Sequence, residues 1–176
     1  MQQLVKLYQQ WAGTEPVHIE QLAGAGSNRQ YYRITAADGA TVIGVVGTSR
    51  EENHAFVYLD RHFVHHKLPV PAVLAVSDDE MRYLQTDLGS TSLFDAIRGG
   101  REAGGRYDLA EQTLLKRTIR ALPDLQIRGA NDLDWNQCYP QPVFDEDNVL
   151  FDLNYFKYDF LKLTGLDFHE MKLEAG

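Results

Sequence analysis

The chain has 176 residues, 25 acidic against 17 basic for a net charge of −8, and 44% hydrophobic content, which suits one domain, or a lobe and part of another, around a buried core. The acidic balance and the absence of a Lys/Arg run argue against a nucleic-acid partner. A lone cysteine, Cys138, excludes an internal disulfide and cannot by itself build a zinc cluster; no stretch approaches the ~18 apolar residues of a membrane span, and Met1 to Lys6 lacks a leader pattern, so a cytoplasmic protein without membrane contact is expected.

Leu4, Leu7, Tyr8 and Trp11 recur at helical spacing and predict an amphipathic helix that ends near Gly13 and packs on a sheet. Val17 to Leu22, Tyr31 to Ile34 and Val42 to Val46 read as three antiparallel strands, with Ala37-Asp38-Gly39-Ala40 as the turn between the last two. Ser49 with Glu52 three residues on is a capping-box pattern, opening a helix whose apolar stripe is Phe56, Leu59 and Phe63. Beyond Pro69 and Pro71, Ala72 to Val76 and Met81 to Gln85 give strands four and five. Helices then take over. Ser92 to Arg98 precedes a glycine-rich break at Gly99, Gly100, Gly104 and Gly105; a helix over Asp108 to Ile127 should kink or end at Pro123; and a last one runs from about Asp147 or Asn148 to Gly165. The expected class is α+β, a five-stranded antiparallel sheet with one helix over 1–88 and helices over 89–176.

Three segments carry a resemblance: Ala23-Gly24-Ala25-Gly26-Ser27-Asn28-Arg29-Gln30-Tyr31-Tyr32-Arg33, then Leu68-Pro69-Val70-Pro71, then Tyr83 through Leu93. In this order they resemble the aminoglycoside phosphotransferase and choline kinase superfamily, and within it the bacterial sugar kinases that phosphorylate N-acetylmuramate or N-acetylglucosamine at the anomeric position. The resemblance covers roughly the first half of the chain. It implies a protein-kinase-like fold with a nucleotide-binding small lobe over 1–88, a partial large lobe over 89–176, ATP and Mg2+ as cofactors, and a sugar or amino-sugar as the small-molecule substrate.

By that resemblance Gly26, Ser27, Asn28 and Arg29 form a turn meeting phosphate oxygens, and Gln85, Thr86 and Leu88 lie where backbone groups are offered to adenine. In kinases the third strand carries a lysine paired with an acidic residue of the next helix. The matching position here is Gly44, so Arg29 or Arg33 substitutes or the phosphate grip is weak. Glu52 takes the acidic place, with the capping-box role as an equal alternative. Asp145-Glu146-Asp147-Asn148 fails an EF-hand test, because position six is Leu150 and position twelve is Phe156; it reads as a helix start. His62, His65 and His66 lack a completing ligand and read as a solvated helix end, so no metal site is expected.

No histidine is followed two residues on by Asp, so by the resemblance the loop that orients an acceptor hydroxyl in such kinases, and the metal-holding aspartate that comes after it, are expected to lie outside this chain. The expectation is the amino-terminal portion of an ATP-dependent small-molecule phosphotransferase, with no catalytic residue in this chain, inactive alone. The rivals are a kinase-like pseudoenzyme or nucleotide-sensing module, and a pure interaction domain using the aromatic helix Phe151 to Phe160. Aromatics on more than one face of that helix predict self-association, a homo-oligomer of the chain.

Overall fold

Leu4, Leu7 and Tyr8 do line one side of a helix, α1 (Gln2–Ala12), which stops at Gly13 in the left-handed conformation. Trp11 departs from the expectation: it stands at the rim, substantially exposed, its ring 6.1 Å from that of Tyr8. The computed structural model describes residues 1–24 and 28–174, in two compact units, Met1–Pro140 and Gln141–Gly176.

In the first unit α1 lies on a sheet of β1 (His18–Gln21), β2 (Gln30–Thr35), β3 (Thr41–Val46), β4 (Val73–Val76) and β5 (Arg82–Thr86). All pairings are antiparallel and the order is β1-β2-β3-β5-β4. The helix α2 (Arg50–His65) connects β3 to β4. The fold is therefore α+β, with the five strands and the helix that the sequence predicts.

Side chains alternate across a strand, so each strand feeds both faces. Tyr32, Ile34, Val42 and Leu84 join Leu4, Leu7 and Tyr8 under α1. Ile43, Val45 and Tyr83 form the opposite face, packed by Tyr31, Phe56, Val73 and Val76, and Phe56 brings α2 onto it by stacking on Tyr83 at 5.0 Å. The α2 stripe differs from the predicted one. Phe56, Leu59 and Phe63 are only half-buried, while the deepest positions of the helix are Asn53, Ala55, Val57 and Asp60. Two of these are polar and satisfy backbone groups: Asn53 Nδ2 donates to the Glu80 carbonyl at 2.9 Å, and Asp60 Oδ2 accepts from the Val73 amide at 2.8 Å. They fix the two ends of the β4–β5 hairpin to the helix.

After β5 come α3 (Leu93–Ala96), α4 (Arg98–Glu102) and α5 (Leu109–Pro123). The predicted break at Gly99 and Gly100 is instead helix. Gly100 packs so tightly that a Cβ there would meet Tyr107 Cδ1 at 2.1 Å, and its amide donates to Glu111 Oε1 at 2.8 Å. Glu111 also completes a capping box with Asp108 at the start of α5. As expected, α5 ends at Pro123, and the chain continues in a wide turn over Asp124–Arg128. This stretch is tied to α2 by polar contacts: Arg128 Nη2 donates to the His66 carbonyl at 2.9 Å, His62 Nε2 lies 2.9 Å from the Gly129 carbonyl, and the Asp134 amide donates to Tyr58 at 2.8 Å. His62 is thus a packed helix-end residue, half-buried rather than solvated.

The second unit holds α6 (Glu146–Phe156), which runs on through tighter and wider turns to Gly165, and α7 (Glu170–Glu174). Asp145 caps α6, its carboxylate accepting from the Asn148 amide at 3.2 Å, which is the helix-start role read from the sequence. Phe151, Tyr155, Phe156, Tyr158 and Phe160 are all exposed. No helix among the described residues is long and apolar enough to cross a membrane.

Candidate functional site

The α2 face of the sheet carries a line of ionic groups, and β2 with the residue just before it supplies two cations. Tyr31 belongs to this face, so by alternation Arg33 does too; Arg29, just before the strand, reaches the same side. Arg29 Nη2 pairs with Glu52 Oε1 at 2.9 Å and its guanidinium lies 5.0 Å from the Phe56 ring centroid. Nη2 also approaches the Glu52 carbonyl at 3.4 Å, and Nη1 the Tyr83 hydroxyl at 3.5 Å. The Arg29 side chain is 10% exposed. Burial pushes the Tyr83 phenol well above its ordinary pKa, so it stays a neutral hydroxyl beside the cation.

Glu52 therefore does not complete a capping box. Ser49 Oγ accepts from the Glu52 amide at 3.1 Å, and Ser49 in turn donates to the Glu51 carboxylate, while the Glu52 carboxylate goes to Arg29. An acidic residue on the helix after β3 pairs with a cation, and that cation comes from the β1–β2 connection.

The assignment of Gly44 as the position of the missing lysine needs correction. A Cβ on Gly44 would lie 2.9 Å from Ile34 Cδ1 and 2.9 Å from Leu4 Cδ2, so the residue faces α1, away from Glu52. The β3 positions facing α2 are Ile43 and Val45, both apolar and buried. Gly44 is glycine because α1 sits close there. The run Thr41-Val42-Ile43-Gly44-Val45-Val46 is apolar on both faces, which leaves no alternation from which its orientation could be read.

At the other end of β2, Arg33 reaches Asp87 with two bonds, Nε to Oδ2 at 2.5 Å and Nη2 to Oδ1 at 3.0 Å. Asp87 is 5% exposed in its side chain and also accepts from the Gly89 amide at 2.8 Å. The Arg33 guanidinium, through these bonds, holds the Asp87 carboxyl down at about 2. This pair shapes the segment expected at adenine. Gln85 and Thr86 end β5, Thr86 exchanging bonds with the Ala72 amide and carbonyl, whereas Leu88 is 73% exposed. Gln85 Oε1 is buried with no partner among the described residues. The helix that follows is capped by Ser92, whose Oγ accepts from the Asp95 amide.

Of the predicted phosphate-side residues, Gly26 and Ser27 lie outside the described residues; Asn28 is exposed and Arg29 is turned inward against α2. The structure therefore gathers Arg29, Glu52 and Gln85 on one face, while Thr86, of the opposite parity and paired with Val42, belongs to the α1 side. Tyr83 and Asp87 were missed as members of this face, although Tyr83, Gln85 and Asp87 share one parity along β5 and its extension; Phe56 lies on it as its place in the α2 stripe predicts. Among the described residues no group of three or more His, Cys, Asp or Glu is placed to hold a metal ion.

No family model matches this chain, and no curated protein matches it. Among solved structures it is similar to a protein of Thermobifida fusca YX-ER1 provisionally described as a fructosamine-3-kinase, with 19% identity and a TM-score of 0.36, over 60% of this chain and 38% of that one. The chain spans well under two thirds of that protein.

Proposed function

We propose that this chain is the nucleotide-holding part of an ATP-dependent small-molecule phosphotransferase, with the sheet region 1–88 as its small lobe and a sugar or amino-sugar as acceptor. The observation that carries the reading is the Arg29–Glu52 pair: a nearly buried cation, tied to the helix after β3 and standing on the face where a phosphate clamp is needed. Arg29 would meet the phosphates of ATP, aided by Ser27 and neighbouring amides, and the backbone from Gln85 to Leu88 would meet the base. Magnesium would be bound with the nucleotide. The sequence holds no His-x-Asp loop to orient the acceptor hydroxyl, so in this reading transfer draws on groups beyond these residues. The uncovered aromatics of α6 support self-association of the chain in this reading.

Calorimetric titration of ATP and adenosine against the wild type and Arg29→Ala tests it. Arg29→Ala should weaken ATP by about 1.5–3 kcal/mol and leave adenosine nearly unchanged, the size of a charge-assisted phosphate contact. Equal losses for the two ligands would remove Arg29 from the phosphate site, and no binding of either would overturn the nucleotide reading. Binding without any turnover, even with the completed protein, would favour a nucleotide sensor over an enzyme.

A further inference from the structure

The Arg33–Asp87 bridge crosses a strand. Arg33 is in register with Ile43, and Ile43 with Gln85, so the arginine on β2 must pass over the α2 face of β3 to reach Asp87 just beyond β5. Bidentate pairing fixes the guanidinium plane, and Asp87 neutralises its charge. Asp87 is buried but Arg33 keeps 21% of its side chain exposed, so the cationic member is the one that reaches the surface of this face. Beside it, at the level of Ile43, the Gln85 side-chain oxygen is buried without a partner among the described residues, a costly state that a ligand donor would relieve.

A flat, charge-compensated guanidinium next to an unsatisfied amide suits a neutral planar ring with hydrogen-bonding edges better than it suits an anion. Four residues of extended strand separate Arg33 from Arg29, about 13 Å, the order of the reach from base to terminal phosphate in an extended nucleoside triphosphate. Arg29, just before β2, and Arg33 within it thus differ in kind. We propose that Arg33, held flat by Asp87, is the base-specificity residue of the nucleotide site, stacking on a purine while Gln85 reads its edge. This rests on the nucleotide reading above and assigns its base end.

The test uses two probes that separate base from phosphate, adenosine and inorganic tripolyphosphate, titrated against the wild type, Arg33→Ala and Arg33→Lys, with thermal unfolding followed in parallel. Arg33→Lys keeps the charge and the pairing with Asp87 but loses the plane, and it covers the case in which Arg33→Ala fails to fold. Both variants should bind adenosine about tenfold more weakly and tripolyphosphate as the wild type does. Full adenosine affinity in Arg33→Lys, or parallel losses for both probes, would overturn the proposal while leaving nucleotide binding intact. If the wild type binds neither probe, the nucleotide reading itself fails and takes this assignment with it.

Discussion

The sheet region and the helices that follow it use their apolar residues in opposite ways. Leu4, Ile34, Val45, Tyr83 and Leu84 are completely buried between α1, the sheet and α2, whereas Ile119 on α5 is 63% exposed and Phe151 on α6 is 69% exposed. What joins the stretch after α5 to α2 is a set of side-chain bonds to backbone, from Arg128, His62 and Tyr58, not a shared apolar core. The sheet region is built to stand on hydrophobic burial; α5 and α6 each carry exposed apolar side chains. Stability should therefore reside in the first region.

The sharpest break of that comparison is a pair of truncations. Leu84→Ala should cost about 2–5 kcal/mol by removing a fully buried side chain from a packed layer, while Ile119→Ala should stay within about 0.5 kcal/mol. Denaturant unfolding with a constant slope measures both. Comparable losses would show that α5 is buried in solution and that the two regions do not differ.

Gly44→Lys probes the two faces of the sheet. If β3 simply lacked its lysine, restoring one should tighten ATP. Because Gly44 points at Leu4 and Ile34, the substitution should instead bury a charge and overpack the α1 face, at a cost of about 3 kcal/mol or more. ATP affinity, read on the folded fraction, should not rise. Val45→Lys, aimed at the α2 face, is the informative contrast, and tighter ATP binding by Gly44→Lys would reverse the facing assigned here.

That facing marks the limit of what the sequence discloses. Strand order, the α2 cap at Ser49 and the stops at Gly13 and Pro123 follow from local signals that outweigh their surroundings, namely cap geometry, helical spacing and proline. Which side of β3 faces α2 is a tertiary choice, invisible in an unbroken apolar run. The same holds for Asn53 and Asp60: a helix written with Phe56, Leu59 and Phe63 as its apolar positions hides two polar residues deeper than any of them, because backbone groups of the β4–β5 hairpin need them there. Arg29 and Glu52 were legible as residues of interest, but not as each other's partners, since that contact joins a turn to a helix 23 positions away.

Two buried aspartates sharpen the contrast within the sheet region itself. Asp87 has a bidentate cation and a carboxyl held at about 2; Asp60 has only a backbone donor, and burial pushes its carboxyl upward. A native pKa below the unfolded value near ~3.9 means the native state binds fewer protons, so the Asp87 contribution is full above about pH 5 and fades as pH falls through about 2. Asp60 acts in the reverse sense: its ionisation opposes the native state, so stability declines as pH rises above the unfolded value. Asp87→Asn should cost about 2 kcal/mol at pH 7 and only a small fraction of that near pH 2. Asp60→Asn, which keeps an oxygen to accept from the Val73 amide, should be neutral or stabilising at pH 7. Unfolding measured from pH 2 to 8 separates them, and equal destabilisation by both at neutral pH would show that the pairing with Arg33 is not what distinguishes them.

The smallest expected effect belongs to the polar seam between α2 and the turn Trp135–Gln137. His54 Nδ1 meets Glu80 Oε1 at 2.9 Å and its Nε2 lies 3.3 Å from Gln137 Oε1, with Arg50 also on Glu80 at 2.9 Å. The hydrogen bond to Glu80 raises the His54 pKa above its ordinary value. A raised folded pKa on a base gives stability that is complete below the unfolded pKa of about 6.5 and disappears as pH climbs through the folded one. His54 is more than half exposed, so solvent screening confines the gain to the range of surface pairs, about 0–1 kcal/mol. His54→Gln should therefore lower stability slightly at pH 5.5 and not at all at pH 9, and 1 M salt should erase the difference at the lower pH. A loss well above that range at pH 5.5 would mean that this seam is a structural joint of the protein, and that polar ties hold the helical stretch as firmly as the apolar core holds the sheet.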